Sequence, residues 1–119
     1  MAATPDDGDI PLANRKVRYQ TLLQEETCWV SKTTVFPGGE TQWHHHSHVS
    51  DRFMVVRGVL TVELLQDGAV RTLQVDDCHV VPAGVIHHVR NDTGEVVEYI
   101  MVQSGGARDI VLDTSQATQ

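Results

Sequence analysis

The stretch VELLQDGAVRTLQV, residues 62–75, decides what kind of chain this is. Two runs rich in Val, Leu and Thr flank Asp67-Gly68, a pair that accepts the positive φ angles of a tight turn between antiparallel strands. The stretch predicts a β-hairpin. The same grammar repeats outward in both directions. Upstream, TCWVSKTTVF ends at PGGE and RFMVVR ends at Gly58; downstream, CHVV ends at PAG, VIHHVR at NDTG and EVVEYIMV at QSGG. Short strand signals separated by turn residues at regular spacing are the pattern of an all-β sandwich or barrel. No segment reads as an amphipathic helix, and no internal repeat supports a solenoid. After Gln103 the periodicity fades, apart from DIVL.

With 119 residues the chain has the length of one domain with a real core. The opening MAATPDDGDIPLANRK carries three aspartates and no apolar block. We therefore expect a flexible arm over 1–14, a domain over 15–112 and a disordered tail over 113–119. No run approaches the roughly 18 apolar residues of a membrane span, so a soluble, cytoplasmic protein is the expectation. A formal net charge of -7 argues against nucleic acid and anionic membranes as partners, because that affinity comes from Lys and Arg displacing counterions. Cys28 and Cys78 lack the paired spacing of a zinc or redox site and read as buried or half-buried strand thiols.

Histidine is where chemistry concentrates. WHHHSHVSD, residues 43–51, holds four of the seven histidines in five positions. In a regular strand His44, His46 and His48 share one face, while Trp43 and His45 take the other. Protonated together these imidazoles repel; as neutral rings around a cation they do not. Imidazole suits zinc, copper, iron and nickel, and carboxylate suits harder ions such as manganese. A second pair, His87 and His88, must point to opposite faces, so one of the two can join the first group from a facing strand.

These residues resemble the cupins, small β-barrels of the double-stranded β-helix or jelly-roll type. The first cupin motif is matched by Gly38, His44, His46, Asp51 and Gly58, and the second by Pro82, Gly84, His87 and Asn91. The resemblance covers 38–91, and the flanking strands fit the barrel. Two positions depart from it: the second motif's first glycine is Asp76, and the first motif's glutamate is Asp51. Aspartate is one methylene shorter, about 1.5 Å of reach, whereas metal contacts tolerate a few tenths of an ångström. Three roles are open to Asp51: a direct ligand after a strand shift, a ligand through water, or support for the ligands.

The resemblance implies His44, His46 and His87 as ligands of one divalent transition-metal ion per chain (Fe, Mn, Ni, Cu or Zn), with Asp51 beside them. Three protein ligands leave positions for water or substrate, as catalytic sites do. His48 is a further ligand or mouth residue; His45, His79 and His88 take surface or interface roles, and Asn91 caps a turn. Phe53 and Val55, in phase with Asp51, should wall the pocket with one face of VVEYIMV. Whether Tyr99 or Glu98 points inward is left open, because both faces of that strand are largely apolar. No acid, base or nucleophile is assigned.

Two functions follow: a metal-dependent enzyme on a small organic molecule, either a dioxygenase-like oxidoreductase or an isomerase or lyase, and a non-catalytic small-molecule-binding module. A homodimer is expected, since cupins often pair through their sheets and exposed edges need cover.

Overall fold

The structure is a computed structural model describing residues 13–113. The arm and tail expected at the termini lie outside these residues, except for Ala13, Asn14 and Asp113. Asn14 is tied down, donating its side-chain amide to the Gly38 carbonyl at 3.1 Å.

Ten strands account for all the regular structure among the described residues: β1 (Val17–Gln24), β2 (Cys28–Val35), β3 (His44–His45), β4 (Ser50–Arg57), β5 (Leu60–Gln66), β6 (Ala69–Val75), β7 (Cys78–Val81), β8 (Ile86–Arg90), β9 (Val97–Ser104) and β10 (Val111–Leu112). They form two antiparallel five-stranded sheets, ordered β1-β2-β9-β4-β7 and β10-β3-β8-β5-β6. The sheets face one another as a jelly roll, without hydrogen-bonded closure into a barrel. No helix among the described residues is long and apolar enough to cross a membrane.

The hairpin turns where the sequence places it. Asp67 and Gly68 have φ of 52° and 78°, the paired left-handed conformation whose twist matches the flanking strands, and Gln66 lies opposite Ala69. One strand, β1, escapes the pattern of recurring runs. Only Val17 in it is fully buried, and a register shift between Thr21 and Leu23 breaks the alternation, leaving Leu22 and Leu23 both exposed. The two cysteines are free thiols in strands, but Cys78 is exposed rather than buried.

Inner-face side chains of the first sheet stack in rows across the strands. Val17, Val35 and Val97 form one row, then Tyr19, Thr33 and Tyr99, then Ser31, Met101 and Phe53, and finally Gln103 opposite Asp51. Polarity thus rises from one end of the sandwich to the other. The apolar end, closed by Leu60, Val62 and Val75 from the second sheet, is the stabilising core; burying a side chain such as Leu60 contributes about 1.5–3 kcal/mol. The other end remains a cavity. Asn91 locks the connection behind the core, donating to the Val35 and Glu95 carbonyls at 2.9 and 2.7 Å and accepting from the Thr93 backbone N–H at 2.9 Å. That is the turn-capping role expected of it.

Candidate metal centre

His44 lies on β3 directly across from His87 on β8, and Asp51 reaches them from β4 of the opposite sheet. His46 follows two residues after His44, beyond the end of β3. All four are buried, at 5% exposure or less, and offer ligand atoms within 4.8 Å of one another. Donors of a single ion with bonds of about 2.1 Å lie at most about 4.2 Å apart, so the set stands near the spacing that one shared ion requires.

Hydrogen bonding fixes which nitrogen each ring presents. His44 Nδ1 contacts the Gln42 carbonyl at 2.7 Å, His46 Nδ1 the Asp109 carbonyl at 2.5 Å and His87 Nδ1 the Val85 carbonyl at 2.8 Å. A carbonyl oxygen can only accept, so each Nδ1 carries the hydrogen and each neutral ring presents a bare Nε2 lone pair to the cavity. His87 Nε2 and His46 Nε2 lie 2.9 and 3.2 Å from Asp51 Oδ2. Lone pairs and a carboxylate therefore converge on one point. Either a proton on an imidazole or a shared cation must relieve that arrangement, and the donor set fits a divalent transition metal.

The electrostatics carry the same tension. Burial, reinforced by the neighbouring His87 ring, drives His44 down to a pKa of about 3 and keeps it neutral. Burial also opposes charge on His46, but the hydrogen bond and charge of Asp51 outweigh it and raise His46 above the ordinary histidine value. For Asp51 burial favours the neutral acid; the bonds to His46 and His87 win and hold its carboxyl well below the usual range.

Gln103 completes the centre and was not singled out by sequence. Its side-chain amide donates to Asp51 Oδ1 at 2.9 Å and lies 3.3 Å from His46 Nε2, while its carbonyl accepts from Arg108 Nε at 2.6 Å. The signal was present, since Gln103 keeps the two-residue phase of Tyr99 and Met101. The cavity measures about 270 Å³ and is lined by the four clustered residues together with Tyr19, Ser31, Thr33, Thr41, Phe53, Val89, Tyr99, Met101, Gln103, Arg108 and Ile110.

The other candidates divide. Phe53 and Tyr99 line the cavity; burial raises the Tyr99 hydroxyl far above its ordinary value, so it stays protonated. Glu98 points away and pairs with Lys32 at 3.6 Å. Val55 does not line the cavity but packs against the apolar core. His48 is exposed and outside the cavity, because β3 ends at His45 and the alternation that would turn His48 inward stops there. His45 is half-buried and His79 half-exposed, both outside the cavity lining. His88 does face away, yet it is buried rather than superficial: its Nε2 lies 2.7 Å from Glu63 Oε1, its ring packs 4.3 Å from Trp43, and Arg90 pairs with the same carboxylate.

The fold and site together define a class, and comparison supplies its name. The cupin domain profile matches residues 31–103. The chain belongs to the cupin family. Over 96 residues it is 29% identical to a mannose-1-phosphate guanylyltransferase of Sinorhizobium fredii, a match covering 78% of this chain but 18% of that protein. The chain thus spans less than a fifth of that relative's length. Among solved structures it is similar to an uncharacterised double-stranded β-helix protein of Klebsiella pneumoniae, with a TM-score of 0.70, 22% identity, and 93% and 95% of the two chains covered. It is also similar to the oxalate decarboxylase of Lactobacillus farciminis in its formate complex, with a TM-score of 0.71, 18% identity, and 89% and 34% covered. At these identities the structural likenesses establish the fold alone.

Proposed function

We propose that this chain is a metal-dependent enzyme acting on a small organic molecule, with one divalent transition-metal ion per chain held by His44, His46 and His87 and with Asp51 as the fourth ligand. The observation that carries this reading is the convergence of bare Nε2 lone pairs and a carboxylate, each oriented by a bond on its far side. A metal bound there supplies Lewis acidity, or oxygen chemistry if it is redox-active. The protein's own groups do the rest. Gln103 steers Asp51, Phe53 and Met101 exclude water, and the protonated Tyr99 offers its hydroxyl as a donor.

The reaction is an oxidation of the dioxygenase type or an isomerisation or lyase step. The test is metal content by mass spectrometry on untagged protein beside a His44→Ala/His87→Ala double variant, with turnover of a substrate panel followed on the same samples. About one ion per chain, lost in the variant, supports the site; no metal in the wild type after reconstitution overturns it. One observation favours a non-catalytic binding module instead: Asp51 is engaged by His46, His87 and Gln103 and Tyr99 is protonated, so neither of these two residues is a free general base. Binding without turnover across the panel would select that reading.

A homodimer belongs to the same proposal. Leu22 and Leu23 on the edge strand β1 are 52% and 44% exposed, and Val56 is 62% exposed, apolar area that a second copy would cover. Sedimentation showing only monomer at micromolar concentration would reject it.

A further inference from the structure

Resting on the reading of this cavity as a small-molecule site, we infer that its ligand is a small carboxylic acid whose carboxylate is received by Arg108. Arg108 is the one Lys or Arg among the cavity-lining residues. It comes from the segment that leaves the first sheet at Ser104, turns at Gly105 (φ 121°) and crosses to the second sheet, where Val111–Leu112 pairs with β3. Exposed at the mouth, the side chain is nevertheless held. Its guanidinium lies 4.6 Å over the Trp29 ring, and its Nε donates to Gln103 Oε1 at 2.6 Å.

Those two contacts fix the plane and heading of the group while leaving its recognition edge unused. A guanidinium has five N–H donors in a rigid fork, and among the described residues only the Nε donor has a partner. No carboxylate of a described residue pairs with Arg108. Among the described Lys and Arg residues carboxylate pairing is made only by Lys32, with Glu98, and by Arg90, with both Glu63 and Asp92; what sets Arg108 apart is that it lines the cavity. A pre-oriented, unpaired guanidinium is the group that binds carboxylates bidentately.

Size and charge narrow the class. At about 270 Å³ the cavity falls just below the range of about 300–1,000 Å³ for drug-sized ligands, which suits an acid of a few carbons. A single guanidinium balances a single negative charge, and the Asp51 carboxylate on the far side of Gln103 disfavours a dianion such as phosphate. The hydroxyls of Tyr19 and Ser31 line the same cavity and suit an oxygen-bearing ligand.

The test is binding to the metal-free protein near neutral pH, by calorimetry or ligand-observed NMR, with matched monocarboxylate probes: propionate against propionamide, lactate against lactamide, and inorganic phosphate. The expected result is that at least one acid binds at least about 10-fold more tightly than its amide, the effect of a charge-assisted bidentate bond. Arg108→Gln should abolish that preference, with Arg108→Lys intermediate. Equal affinity for acid and amide, binding of neither, tighter binding of phosphate, or a preference that survives Arg108→Gln would each overturn the inference. Metal content measured on the same preparations separates the two readings. An acid preference in a wild type that takes up no metal would sink the metal centre and leave Arg108 standing, whereas full metal without acid preference would do the reverse.

Discussion

Acid should unfold this protein partly through one imidazole. His44 is buried and neutral, with its pKa driven down to about 3 by burial and the adjacent His87 ring. In the unfolded chain the same group protonates at its ordinary value of 6.5. Between these two values the unfolded state binds a proton that the folded state refuses, so the His44 contribution to stability falls as pH drops below 6.5. The slope is about 1.4 kcal/mol per pH unit, giving a loss of about 2 kcal/mol by about pH 5.

His46 has the opposite sign. Its folded pKa is raised, so its contribution is full below 6.5 and is lost as pH rises through the folded value. Asp51, whose folded pKa is depressed, contributes above the ordinary carboxylate range and loses that contribution in stronger acid. The wild-type profile is a sum of these terms, so the measurement is a difference: urea unfolding of metal-free wild type and His44→Gln at about pH 7.5 and about pH 5. The variant should be less stable at the higher pH, and the gap should narrow by about 2 kcal/mol at the lower. A gap of equal size at both would refute the claim that burial holds His44 neutral.

Replacing Gln103 with Leu keeps the bulk but removes the donor to Asp51 Oδ1; metal affinity measured by competition with a chelator should fall about 10–100-fold, and an unchanged affinity would show that the amide only packs. Asn91→Ala deletes several buried hydrogen bonds at once and should cost about 3 kcal/mol in urea unfolding, with a loss under about 0.5 kcal/mol counting against a locking role. At Gly39 an added Cβ would lie 2.6 Å from the Lys16 carbonyl oxygen and 2.7 Å from Val35 Cγ1, whereas at Gly94 it would meet nothing within 4 Å. Gly39→Ala should therefore destabilise by about 1–3 kcal/mol and Gly94→Ala by no more than about 0.5 kcal/mol, as compared by thermal unfolding.

What the sequence revealed and what it hid have physical reasons. The β5–β6 hairpin was legible because Asp67-Gly68 is a local instruction, satisfied by two φ angles. The histidine group was legible because its spacing survives in the structure even though β3 is only two residues long. His48 was misread for that same reason: alternation carries side-chain direction only while the strand lasts. Tyr99 and Glu98 could not be told apart from composition, and the pairing of β9 with β2 and β4 decides between them. Arg108 follows no period, since its position depends on a segment that spans two sheets. Gln103 was within reach, two residues beyond Met101 on the same face.

His46 takes its orientation from the Asp109 carbonyl, 63 residues away, and this sets an order in time. A growing chain that has emerged as far as Asn91 already contains every candidate ligand. It still lacks β9, which pairs with β4 beneath Asp51, and the segment that turns the His46 ring. Closing a contact over so many residues costs more chain entropy than closing a local turn does. An ion captured before that contact forms would be chosen by the intrinsic preference of loosely held imidazoles, which favours copper over the other divalent metals. Once Asp109 has docked, geometry would enter the choice of any ion bound at the proposed site, so the docking of one loop would divide a period of selection by affinity from a period of selection by shape.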